Sequence, residues 1–171
     1  MSQTEIHENI NQLPIVIFTN FFDACHLIKN KSTKIIIDNK SFHLQLVDNP
    51  EIFSIALLSP PKDKLKTIYE NYSDLPRLDF FCPTYRLLSQ YKSDKDWQSY
   101  EKEFIKIISS NKQKIVEWID GLENNKIYLL MCWENTSGDS KCHRQILYNK
   151  ISNSKTLKDK AVWIYRHGNE K

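Results

Sequence analysis

Cys132, Glu134, Cys142, His143 and Arg144 carry the densest chemistry in the chain, all within the stretch LLMCWENTSGDSKCHRQILYNKI, residues 129–151. Two thiols supply nucleophiles once deprotonated. A carboxylate and an imidazole supply acid and base. A guanidinium offers a planar fork that matches phosphate or carboxylate. A thiol-phosphatase reading needs a full phosphate-binding loop between Cys and Arg. Cys142 and Arg144 are too close for that, and the reading is excluded.

These residues need a strand end and a helix start to bring them together. IYLLMCW (127–133) is a continuous apolar run of strand length, the kind found in the middle of a sheet covered on both faces. A polar segment follows, and CHRQILYNKI reads as a helix with Ile146, Leu147 and Ile151 on one face and Asp139 or Ser140 as N-cap. In open α/β sheets ligands bind beyond the carboxyl ends of the strands, and helix N-termini accept anions. A thiol at such an N-terminus is expected to have a lowered pKa. The block is therefore built like an anion or nucleotide site, with Arg144 as fork donor and Glu134 on the opposite wall. On spacing alone a second reading stays open, in which Cys132 is core, His143 caps the helix and Arg144 pairs with Glu134.

The rest of the chain alternates strand and helix signals. Residues 1–13 read as a polar tail, and 14–171 as a single α/β domain. Strands are expected at 15–19, at 35–37 with 42–47 as its hairpin partner across Asp38-Asn39-Lys40, at 52–57, at 127–133 and in AVWIYRHG near the end. Helices are expected at 20–30, after Pro61, from Pro83 to about Tyr91, at 94–110 and at 112–122. Trp97, Phe104, Ile108, Trp118 and Leu130 are expected to be buried. The alternation predicts an α/β fold with a mostly parallel central sheet containing 15–19, 52–57 and 127–133 and helices on both faces.

Composition narrows the classes. The 171 residues include 40% hydrophobic and 12% aromatic side chains, enough for one core. No apolar run is long enough to span a bilayer, so no membrane partner is expected. MSQTEIHENINQ has no basic n-region and no apolar h-region, which points to a cytoplasmic chain with reduced thiols. Only 3 glycines are present, which excludes a Gly-rich phosphate loop. The net charge of +3 does not call for a nucleic-acid partner, although Phe80, Phe81 and Tyr85 beside Arg77 and Arg86 could stack on bases. Against abundant Lys, the four Arg residues (Arg77, Arg86, Arg144 and Arg166) are candidates for specific contacts.

LLMCWEN…KCHRQIL resembles the signature of the domain of unknown function 488 family: a strand ending in L-L-C-x-E, a short loop, then C-H-R opening a helix. CPTYRLLSQYK and the following helix are similar to that family's "P…L…Y-K" segment, and IFTNFF to its opening strand. The resemblance runs from about Ile15 to Gly168. It implies a compact Rossmann-like three-layer domain and no established reaction. By position it carries over Cys132, Glu134, Cys142, His143 and Arg144, and Thr19 at the end of the first strand. The chain departs from the family after the strand at 52–56, where SIALLSPPK puts Ala56, Leu57 and Leu58 in place of the usual polar residue. The loop after Glu134 also lacks the usual proline.

Together these readings predict a protein that binds, and processes, a phosphate-bearing small molecule or nucleotide. Glu134, Cys142 and His143 are the catalytic candidates, and Thr19, Cys132 and Arg144 the ligand-binding ones. The alternative is a non-catalytic binding module for protein or nucleic acid that keeps the fold. Cys132, Cys142 and His143 are also possible soft metal ligands, with Cys82 or Glu134 as a fourth. Adjacent Cys142 and His143 are expected to point apart, however, and no C-x-x-C knuckle is present, so no metal is assigned and the cofactor stays open.

Overall fold

The structure, a computed structural model, describes residues 13–37, 40–46, 48–134 and 141–166. Its elements run β1 (Ile15–Asn20), α1 (Phe21–Asn30), β2 (Ser32–Ile37), β3 (Lys40–Gln45), β4 (Glu51–Ser54), α2 (Lys66–Asn71), α3 (Tyr85–Asp94), α4 (Trp97–Ser110), α5 (Lys112–Asp120), β5 (Ile127–Cys132), α6 (His143–Ser152) and β6 (Val162–Tyr165), with short 3-10 turns at Lys62–Leu65 and Asp79–Phe81. Most of the expected polar tail, Asp38 and Asn39 of the hairpin turn, and the N-cap candidates Asp139 and Ser140 lie outside the described residues.

The central sheet has four strands in the order β4-β5-β1-β6, and every pairing is parallel. The expected sheet members 15–19, 52–57 and 127–133 are all in it, with the second shortened to Glu51–Ser54. On the outer side of that strand the Ser54 amide donates to Pro76 O and its carbonyl accepts from Leu78, so the 76–78 segment flanks the sheet edge. β2 and β3 form a separate antiparallel hairpin, as the alternation at 42–47 predicts.

Burial explains the parallel sheet. All of β1 is buried, which requires cover on both faces. In register, Phe18 stands beside Leu130 and Tyr165, and Asn20 beside Cys132. The Phe18 ring meets Tyr148 of α6 edge-on, while Phe53 and Tyr128 meet Trp118 of α5. Trp97, Tyr100 and Phe104 stack along α4, which packs on α6. α1 packs along β1 and β5. Phe104 and Leu130 are fully buried, whereas Trp97, Ile108 and Trp118 are only partly covered. The long amphipathic stretch expected from 94 starts at Trp97 because the Asp96 side chain accepts from the Ser99 amide and caps α4 there.

The aromatic segment at 78–91 divides. Phe81 is core, Phe80 is partly covered, and Tyr85 is 73% exposed. Arg77 donates from Nε to Asp79 and from Nη1 to Leu57 O, which ties the edge segment to the chain after β4. No helix among the described residues is long and apolar enough to cross a membrane.

Candidate functional site

β5 ends at Cys132 and α6 begins at His143, and the two ends meet beyond the carboxyl edge of the sheet. Cys142 is the N-cap of α6. Its amide donates to the Gln145 side chain at 3.2 Å, and its carbonyl accepts from the Gln145 amide at 3.0 Å. This reciprocal pair fixes the helix start. Cys142 has extended backbone (φ −140°, ψ 143°) while His143 is already helical. The bend between them turns both side chains the same way, and Cys142 Sγ lies 3.9 Å from His143 Nδ1. The expectation that neighbouring Cys142 and His143 point apart therefore fails at this cap.

Four of the expected site residues converge. Cys132 Sγ lies 3.7 Å from His143 Nδ1. Glu134 is exposed as a residue, but its Oε2 turns inward to accept from Cys132 Sγ at 3.1 Å and from Cys142 Sγ at 3.4 Å. The donor atoms of Cys132, Cys142 and His143 all lie within 4.8 Å of one another, and all three residues are buried. Four ligands at about 2.0–2.3 Å around one tetrahedral ion stand roughly 3.3–3.8 Å apart. The observed separations bracket that range.

The far side of the imidazole is also engaged. His143 Nε2 lies 2.8 Å from the Ile55 carbonyl oxygen. A carbonyl can only accept, so a proton sits on Nε2, and Cys132 Sγ stands beside the ring, 3.7 Å from Nδ1 and 4.0 Å from Nε2. Histidines that hold metals are oriented by such a bond to the second nitrogen. Ile55 follows β4 and is held by its own amide, which donates to Met131 O at 2.9 Å. Phe104 closes the site with its ring 5.2 Å from the imidazole, at 76°.

The electrostatics set a lowered carboxyl beside a raised imidazole. Burial works to raise the Glu134 carboxyl, but hydrogen bonds from Cys132, its own backbone and Cys142, with the charge of His143, hold it below the usual range. Burial works to discharge His143, but Cys142, the Ile55 carbonyl and Glu134 outweigh it and raise the imidazole. Burial pushes the Cys142 thiol well up, and the neighbouring Cys132 adds to this. Such a thiol is a poor nucleophile on its own, contrary to the lowered pKa expected at a helix N-terminus. A divalent cation reverses that preference, since a coordinated thiol is deprotonated outright. Tyr100 is raised as well, first by burial and then by the negative charge of Cys142, Cys132 and Glu134.

The other expected residues go elsewhere. Arg144 is completely buried, and its guanidinium lies over the Tyr165 ring of β6, 5.5 Å from the centroid. His143 thus reaches toward the β4 side of the sheet and Arg144 toward the β6 side. No ion pair joins Arg144 to Glu134 among the described residues. Thr19 neighbours Met131, one residue out of step with Asn20 and Cys132, so its side chain lies on the face opposite the cluster. Its Oγ1 is buried with no hydrogen-bond partner among the described residues. Cys82 is not part of the cluster. Its thiol contacts the Leu78 and Ala56 carbonyls, and burial pushes it up to about 12. The segment after β4 is apolar in its side chains, as its sequence predicts, and its contact with the cluster is the Ile55 backbone carbonyl, which has no signature in the sequence.

A separate groove of about 1020 Å³ runs between the β2–β3 hairpin, the β6 edge and α6. His26, Lys34, His43 and Arg166 line it, with Trp97 and Tyr165 among its aromatic walls. Arg166 donates to Thr33 across it. No family model, curated protein or solved structure matches the chain.

Proposed function

We propose that the chain is a metal-binding α/β protein whose centre holds one zinc-class divalent ion through Cys132, Cys142, His143 and Glu134. The observation that carries this reading is the clustering of the Cys132, Cys142 and His143 donor atoms within 4.8 Å of one another, with the Glu134 carboxylate against both thiols. Two thiolates and an imidazole in tetrahedral spacing favour zinc over magnesium or calcium, which take oxygen ligands. The test is metal analysis of protein purified without chelator and reloaded with zinc. About one zinc ion per chain is expected at a four-donor site of this kind. Protein that takes up no zinc above a chelated control rules the reading out.

The same placement supports a Rossmann-like three-layer arrangement. α5 and α6 cover the face bearing Phe18, Phe53 and Tyr128, and α1 runs along β1 and β5, whose other face is buried too. The blocks LLMCWEN…KCHRQIL, CPTYRLLSQYK and IFTNFF support kinship with the domain of unknown function 488 family.

A second reading is favoured by the basic groove: the protein binds a phosphate-bearing small molecule or nucleotide there rather than at Arg144. Lys34 and Arg166 supply charge, and Tyr165 and Trp97 offer ring faces to a base. A nucleoside monophosphate titrated into the protein by calorimetry should bind, and Arg166→Ala should weaken it by about tenfold or more, as loss of one charge-assisted contact of roughly 1.5–3 kcal/mol requires. Equal binding by parent and variant removes the groove from consideration.

A further inference from the structure

Resting on the zinc reading above, we propose that the fourth position of the centre is exchangeable: Glu134 is a displaceable ligand, and the ion accepts in its place an oxygen anion, carboxylate or phosphate, of a small-molecule substrate.

The four donors are not held alike. Cys132 closes a fully paired strand, Cys142 caps a helix through its reciprocal bonds with Gln145, and His143 is pinned on its far side by Ile55. All three are 5% exposed or less. Glu134 lies past the end of β5, in neither strand nor helix, and is exposed. Its carboxylate reaches back to the thiols over its own flexible side chain. Two cysteines and one histidine are a ligand trio that catalytic zinc sites use, with the remaining position left to water or substrate. Among the described residues, the group at that position is the Glu134 carboxylate, which touches both thiols.

Charge explains why the incoming group is an anion. A divalent ion with two thiolates and a neutral imidazole is formally neutral, and Glu134 adds one negative charge. Exchanging one oxygen monoanion for another keeps the charge of this partly buried site unchanged, and the cation attracts the incoming anion as it does Glu134. In the exchange the bond from the ion to Glu134 breaks and a bond from the ion to the incoming oxygen forms. No proton or electron moves, and the released carboxylate swings into water.

The experiment replaces zinc with cobalt(II), whose visible absorption reports the donor set. Acetate and inorganic phosphate are titrated into the parent and into Glu134→Gln. Cobalt bound in the parent establishes the metal centre by itself, independently of the exchange. The exchange requires both anions to shift the cobalt bands of the parent. Glu134→Gln should hold cobalt within about tenfold of the parent's affinity and bind the anions about tenfold more tightly, because the internal competitor is gone. If Glu134→Gln instead loses cobalt as thoroughly as Cys132→Ser, or if neither anion moves the bands in either protein, the fourth position is closed and the proposal falls while the metal centre stands. A parent that binds no cobalt overturns both. Circular dichroism of Glu134→Gln guards against misfolding, and Glu134→Asp, which keeps the charge on a shorter arm, should fall between parent and Gln in anion affinity.

Discussion

Cys142→Ser should purify with less than about a tenth of the parent's zinc. Structural zinc in small sites binds with about 10–16 kcal/mol at neutral pH, so one of four ligands accounts for roughly 3 kcal/mol, a hundredfold or more in affinity. Serine keeps the size and the N-cap geometry of α6, so the metal-free fold should be close to the parent's. The loss then reads coordination rather than collapse. Zinc at a thousandfold excess over its Kd should raise parent stability by about 4 kcal/mol. At roughly 2–4 °C per kcal/mol for a chain of this size, that is a shift in Tm of about 10 °C, absent in Cys142→Ser. A serine variant that retains parent levels of zinc would show that Cys142 is core and no ligand.

Phe104→Ala should cost about 3–5 kcal/mol of stability in the metal-free protein, measured by urea unfolding. Phe104 is wholly buried, stacked on Tyr100 along α4 and edge-on to the His143 ring. Removing it leaves a cavity on the wall of the site. His143 then keeps the Ile55 bond but loses the packing that fixes its plane, so zinc affinity should also fall about 10–100-fold, as it does when outer partners of a ligand are lost. Phe22→Ala, at a position 50% exposed on α1, is the control and should stay within about 0.5 kcal/mol of the parent. A Phe104→Ala loss under about 1 kcal/mol would mean that α4 does not close the core.

Much of this was legible beforehand because periodicity reports burial. The run IYLLMC has no polar gap, and a strand covered on both faces is the cheapest way to bury it. The residues of the cluster stood out by type and spacing. Their geometry did not, for three separate reasons. The side-by-side arrangement of Cys142 and His143 depends on the bend at an N-cap, and that cap is Cys142, two and three residues beyond the expected Ser140 and Asp139. The orienting partner of His143 is a main-chain carbonyl after an apolar strand, which any residue type at 55 could offer. Arg144 attracted attention as a fork donor, but one step along a helix turns a side chain by about 100°, enough to send it to Tyr165 while His143 goes to Ile55. Thr19 failed by the two-residue period of a strand, which placed it on the wrong face.

The strand order has a consequence for synthesis. β5 pairs with both β4 and β1, and β1 otherwise pairs only with β6. As the chain leaves the ribosome from its N-terminus, β1 emerges long before residues 127–132 and has no strand partner until they arrive, while β4 has only the 76–78 segment at its outer edge. The apolar run Ile15–Phe18 must wait in a nascent chain with most of its length already made, exposed to water or to whatever chaperone shields it. The sheet then closes by insertion of β5 between two strands already present, a set of non-local parallel pairings that form slowly. Truncated chains that stop before Ile127 should therefore stay bound to the ribosome's associated factors or aggregate, and release should come only once β5 has cleared the exit tunnel.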